Sequence, residues 1–193
     1  MQNKKLFATF AFPILAMILF ILVSKIWAHE FGRMTGGGSI FLSSNDFVQG
    51  LTDTVGTRIT HGFELHCSQI DVTPTEPNNL QIDIHTPDGE NGRFHLEQLE
   101  SSLCFSDFNS DPPMGTPISS FEGHGIGRYN GQPGYCADWR FTDKGEPGTS
   151  DEIHELLIQP CPRGTATAVV QVVTPGHTLT FGNHQAHKAT GKP

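Results

Sequence analysis

The stretch "NLQIDIHTPDGENGRFHL", Asn79 to Leu96, decides the fold class. Apolar and polar residues alternate on either side of a Pro-Asp-Gly cluster, the period of two strands joined by a tight connection. Leu80, Ile82 and Ile84 share one face, and Phe94 and Leu96 answer them on the returning strand. With "PDGEN" as the loop, Ile84 is expected to face Phe94 and Ile82 to face Leu96. The outer face then sets Asp83 against His95 and His85 against Arg93.

A second hairpin reads from "YCADWRFT" (Tyr135 to Thr142) through "DKGEPGTSDE" to "IHELLIQPC" (Ile153 to Cys161). Pairing Phe141 with Leu156 and Trp139 with Ile158 gives one apolar face. The same register sets Cys136 against Cys161 at the separation a disulfide needs. Four cysteines allow three connectivities, and this one leaves Cys67 with Cys104. A four-thiolate zinc site is the competing reading, but no pair has the close spacing that such sites favour. In the third hairpin, "TATAVVQVVTPGHTLTF", Thr174-Pro175-Gly176-His177 has proline and glycine where a type II turn wants them.

The one helical candidate is "HLEQLESSLC", His95 to Cys104, with Leu96, Leu99 and Leu103 at helical spacing. Elsewhere short β-prone runs alternate with Gly, Pro, Asn and Asp clusters. The expected fold is all-β, an antiparallel β-sandwich with short helical turns and two disulfides.

The chain opens with Lys4 and Lys5 and then runs 18 residues, Leu6 to Val23, without a charge. That pattern is an export signal, with Ala28 as the expected cleavage position; the run is also nearly long enough for an uncleaved anchor. Residues 1–28 are therefore read as signal peptide or N-terminal membrane anchor, 29–183 as one β-sandwich domain, and 184–193 as a C-terminal tail. Lys4, Lys5 and Lys25 fall in the leader. That leaves 9 of the 12 basic residues against all 20 acidic ones, a net charge of −11. Such a surface repels nucleic acid, and contact with a membrane is expected only through the N-terminal segment. Cysteines confined to the exported part point to a secreted, periplasmic or cell-surface location.

"MTGGGSIF", "THGFELHC", "PNNLQI", "RFHLEQL", "GHGIGRYNGQPG", "FTDKGEPGTSDE" and "GNHQAHK" occur in this order along the chain. Together they resemble a family of secreted bacterial β-rich domains of the post-COAP type, which accompany choice-of-anchor repeats in surface proteins. The resemblance covers nearly all of the mature chain and implies export, a single β-rich domain and no assigned reaction, so it carries over no site. Cys136 and Cys161 depart from the family pattern as an added bridge.

Two constellations carry candidate chemistry. In "THGFELHC", strand alternation turns His61, Phe63, Leu65 and Cys67 inward, His61 as a core histidine bonded to backbone, and Glu64 and His66 outward. Beside the first hairpin, Glu64, His66, His85 and His95 would form a transition-metal patch, the basis of an alternative reading as a metal-binding protein or metal-dependent hydrolase. In "FTDKGEPGTSDE", Asp143, Glu146 and Asp151 stand among glycines as a calcium loop, although the spacing is not that of an EF-hand. His184 and His187 would share a face if a helical turn forms there. The "TGGGS" run lacks the lysine and helix of a phosphate loop and reads as close backbone packing. No G-x-S-x-G elbow, H-E-x-x-H helix or Ser-His-Asp order in a structural context appears, so no catalytic residue is assigned. The expected function is that of an exported, non-catalytic interaction module with a protein or glycan partner. A structural subunit of a surface assembly is the other non-enzymatic reading.

Overall fold

The computed structural model describes residues 32–67, 77–106, 118–173 and 175–188. The leader, its cleavage position and Thr174 of the third turn lie outside the described residues. Among the described residues eleven strands follow one another: β1 (Gly32–Phe41), β2 (Phe47–Val48), β3 (Arg58–His66), β4 (Asn79–His85), β5 (Asn91–Phe105), β6 (Ser120–Tyr129), β7 (Gln132–Thr142), β8 (Glu152–Pro160), β9 (Val170–Val172), β10 (His177–Thr178) and β11 (Phe181–Lys188). One 3₁₀ turn, Gly148–Ser150, precedes β8.

The strands form one antiparallel sheet in the order β11-β1-β3-β4-β5-β6-β7-β8-β9-β2, with β10 also on β8. The sheet curls until its two halves face each other across one core. Phe63 of β3 stacks on Phe141 of β7 at 4.7 Å between ring centroids. Leu80, Ile82, Ile84, Phe94, Trp139, Leu156 and Ile158 fill the same interior and are each at most 1% exposed. The all-β class, the antiparallel layering and both disulfides are as the sequence indicates: Cys67–Cys104 with Cα atoms 5.8 Å apart and Cys136–Cys161 with 5.3 Å.

The "TGGGS" run is indeed a close approach of backbones. β1 lies between β3 and β11; a Cβ on Gly37 would stand 2.6 Å from the His61 carbonyl oxygen, and one on Gly38 2.4 Å from that of Phe181. Only glycine lets three strands meet this tightly.

Both hairpin registers differ from expectation by two residues, except that past a bulge in the second Phe141 faces Ile153 and not the expected Leu156, a difference of three. In the first, Ile82 faces Phe94, Ile84 faces Gly92, Asp83 faces Arg93 and His85 faces Asn91. Thr86 closes the loop by accepting from Gly89 N–H and donating to the Glu90 carbonyl. Gly92 opposite Ile84 leaves the room that the Tyr129 ring occupies, since a Cβ there would meet its hydroxyl at 2.1 Å. In the second, Trp139 faces Leu156 and Cys136 faces Gln159. Cys161 therefore bridges diagonally from just past β8, where its N–H donates to Gly134 O at 2.8 Å. A slip of two keeps every side chain on its face, so alternation alone does not separate these registers.

The third hairpin does not form. β9 and β10 lie one after the other along β8, Val172 beside Leu156 and His177 beside Ile153. The Asp46 carboxylate holds their junction, accepting from Val173 N–H at 3.0 Å and contacting His177 Nε2 at 2.8 Å. The helical candidate is also strand: residues 95–104 belong to β5. Register shifts between Leu96 and Gln98 and between Leu99 and Ser101 insert extra residues, so Leu96 and Leu99 both turn inward three apart. Two bulges thus imitate a helical period. Finally, β11 carries residues 184–188, assigned to the tail, into the sheet beside β1.

Cys67–Cys104 closes a sequence separation of 37 residues and ties the end of β3 to β5. Chain-entropy reasoning puts its contribution at about 4 kcal/mol. Replacing both cysteines by serine is expected to lower the urea midpoint accordingly, with less effect if the unfolded chain is already compact; equilibrium denaturation checks this.

Candidate functional site

The acidic loop between β7 and β8 is folded inward. Asp143 and Asp151 are 3% and 0% exposed. Asp143 accepts from Gly145 N–H and Ala186 N–H, both at 2.8 Å. Asp151 accepts from Lys144 N–H at 2.8 Å and His184 N–H at 2.6 Å. Each carboxylate thus spends one oxygen on its own loop and the other on the outer edge of β11, where no further strand among the described residues supplies acceptors. Glu146 accepts from the Asn183 side-chain amide at 2.9 Å on the same strand. Burial, with the neighbouring charges of Asp143 and Glu146, pushes the Asp151 carboxyl up to about 6.

The residues named for calcium are brought together, but as a clasp on β11. Among the described residues no group of three or more His, Cys, Asp or Glu side chains is arranged to hold a metal ion. Since four of the carboxylate oxygens already accept backbone N–H bonds, adding calcium or a chelator is expected to move Tm by no more than about 1 °C. A larger rise with calcium, read by scanning calorimetry, would show the loop to be a calcium site.

Under that clasp lie two histidines. His61 and His184 are 7% and 1% exposed, with their Nε2 atoms 2.7 Å apart. His184 Nδ1 donates to the Thr142 carbonyl at 3.1 Å, so with both rings neutral His61 Nε2 donates to His184 Nε2. His61 also stacks on Phe63 and Phe141. It is a core histidine as expected, with the Gly38 backbone beside it, and it has the other ring as a further partner. Burial depresses both, His61 to about 3 with help from the charge of His184, and His184 to about 4. Strand alternation turns His187 to the opposite face, where Nε2 lies 2.8 Å from Thr35 Oγ1.

The transition-metal patch does not assemble. His85 stands opposite Arg58, while His66 lies eight residues further along β3, roughly 26 Å at the usual rise. His95 stands opposite Gln81, which faces Gly62, so His66 is again about 13 Å along the strand. Two of the three have local company instead. His66 Nδ1 contacts the Pro77 carbonyl at 3.1 Å, with Glu64 at 4.0 Å from its other nitrogen, and His85 Nε2 meets Thr60 Oγ1 at 3.3 Å.

A row that sequence reasoning missed crosses the outer face of β5, β6 and β7. Ser101, His124 and Asp138 are direct cross-strand partners, which puts neighbouring Cβ atoms about 5 Å apart on one face. His124 Nδ1 bonds Asp138 Oδ1 at 2.7 Å, and its Nε2 stands 3.7 Å from Glu122. Arg163 reaches the same Asp138 oxygen from Nε at 2.7 Å and Glu100 from Nη1 at 2.7 Å, and its Nη2 donates to the Gly125 carbonyl. The Cys136–Cys161 bridge pins the start of the loop that delivers Arg163. The bond to Asp138 raises the proton affinity of His124 above its ordinary value. Although burial opposes it, the bonds from His124 and Arg163 hold the Asp138 carboxyl low. The row was not legible in the sequence because two bulges in β5 separate Ser101 from any simple register count. The alternation of Glu122 and His124 was the only signal.

Compared with family models, curated proteins and solved structures, the chain matches none. Among the described residues no helix is long and apolar enough to cross a membrane.

Proposed function

We infer that the chain is an exported interaction module of the bacterial envelope or surface, and that it binds a protein partner through the outer face of β11, β1 and β3. The observation behind this reading is a pair of exposed aromatic rings. Phe181 is 67% exposed and Phe41 48%. Phe181 stands opposite Ser39, and Phe41 lies two residues further along β1, so both rings project from the same outer face as neighbours. Arg58 beside Phe41 and Thr60 beside Ser39 supply a polar margin. Covering the exposed halves of both rings removes enough apolar surface for on the order of 5 kcal/mol, which is what an interface anchor provides. Two disulfides agree with an oxidising compartment.

The test is saturable binding of labelled protein to isolated envelope of the producing cell. The Phe41→Ser, Phe181→Ser double variant is expected to bind roughly 30-fold more weakly with an unchanged fold. Equal binding by both proteins would end the reading. Stable oligomers in light scattering that the same double variant dissolves would favour a structural subunit instead.

A further inference from the structure

We propose that Ser101, His124 and Asp138 form an acyl-ester hydrolysis site on the outer face of β5–β7, independent of the Phe41–Phe181 surface.

The polarity of the row is the one such chemistry needs. The carboxylate bonds Nδ1 of the imidazole, and Nε2, with the Glu122 carboxylate 3.7 Å away, is the nitrogen that takes and returns a proton. Asp138 is itself held by Arg163, and Arg163 is fixed by Glu100, by the Gly125 carbonyl and by a loop that begins at a disulfide. The orienting group therefore does not wander, although it lies at a sheet surface. Ser101 is exposed and sits on the third strand of the row, immediately after a bulge; bulges re-aim side chains and recur beside active sites.

The substrate class follows from the neighbour. Leu103, two residues from Ser101 on the same face, is 44% exposed and gives an acyl chain an apolar surface beside the hydroxyl. Across from it Glu122 excludes a second carboxylate. The structure thus assigns a neutral ester of a short-chain acid.

In the reaction Ser101 Oγ attacks the ester carbonyl while His124 Nε2 takes the hydroxyl proton. The tetrahedral adduct collapses, the C–O bond to the alcohol breaks, and Nε2 returns the proton to the departing alkoxide. Water then attacks the acyl-serine with the same imidazole as base, releasing the carboxylic acid and restoring Ser101. Ester and water give acid and alcohol, with no other reactant.

The experiment uses the folded wild-type chain with two probes, a fluorophosphonate and p-nitrophenyl acetate. Peptide mapping is expected to place the phosphonate on Ser101. Hydrolysis should rise with pH as His124 loses its proton, on a profile displaced above that of free imidazole. Ser101→Ala and His124→Gln should each lower the rate about 100-fold, whereas Ser102→Ala, on the opposite side of β5, should not change it. The proposal is overturned if wild-type protein gives no adduct at Ser101, or if Ser101→Ala hydrolyses the acetate at the wild-type rate. Neither result bears on envelope binding by the two phenylalanines, so the two readings fail separately.

Discussion

Asp151→Ala is expected to destabilise the fold by roughly 3 kcal/mol and to expose the β11 edge to solvent exchange. The variant loses two charge-assisted bonds, each worth about 1.5–3 kcal/mol, and leaves the buried His184 N–H without its acceptor. Part of the loss is offset, because a carboxyl pushed up to about 6 was itself costly to bury. Asp151→Asn keeps one acceptor and sheds the charge, so its cost should be smaller. Asp143→Ala should act alike through Gly145 and Ala186. Hydrogen exchange gives the sharper readout. Protection of the His184 and Ala186 amides should collapse in the alanine variants while amides of β5 and β6 stay protected. Unchanged protection at those two amides would show that the carboxylates are not what closes the edge.

The second large effect is on pH. His61 and His184 have folded pKa values far below the unfolded 6.5, so their contribution is complete above pH 6.5 and is lost as pH falls toward 4 and 3. Asp151 acts in the other direction, since its folded carboxyl takes a proton near pH 6 and the unfolded one near 3.8. Between pH 6 and 4 the unfolded chain therefore holds about two protons at these sites and the folded chain about one. Stability should fall by about 1.4 kcal/mol per pH unit. His124 contributes oppositely at higher pH, because its raised value makes its bond to Asp138 strongest while the ring is charged. His61→Phe keeps a ring against Phe63 and Phe141 and removes one of the two titrating groups. Its stability should be lower at neutral pH, because His184 Nε2 loses its donor, yet nearly flat between pH 6 and 4. Urea denaturation across that range measures both slopes; parallel curves for the two proteins would refute the assignment.

The sequence was informative wherever a single strand sufficed. Faces and the all-β class were legible, because alternation and composition report them locally; the cysteine partners came out right although the register that argued for them was off by two. Register was not. Leu80, Ile82 and Ile84 meet Phe94 and Leu96 equally well at either of two offsets, and what chose between them was the space at Gly92 that Tyr129 fills. The helical reading of residues 95–104 failed because a bulge changes a period of two into a spacing of three. The carboxylates of the acidic loop stood out as a cluster, but their partners are N–H groups of β11, more than 30 residues away in sequence. The Ser101, His124 and Asp138 row needs three strands in correct register before it exists at all.

The placement of β1 has one more consequence, for the order in which the chain can fold. Its neighbours are β3, close behind it, and β11, the last described strand, so that Gly32 meets Lys188. As the chain is made from its N-terminus, the edge of β1 that β11 covers waits until β11 has emerged. Such non-local pairing slows folding and exposes a template for wrong partners. The glycines that admit β11 so closely also have little β-propensity of their own. They leave β1 a poor template for strangers during the wait.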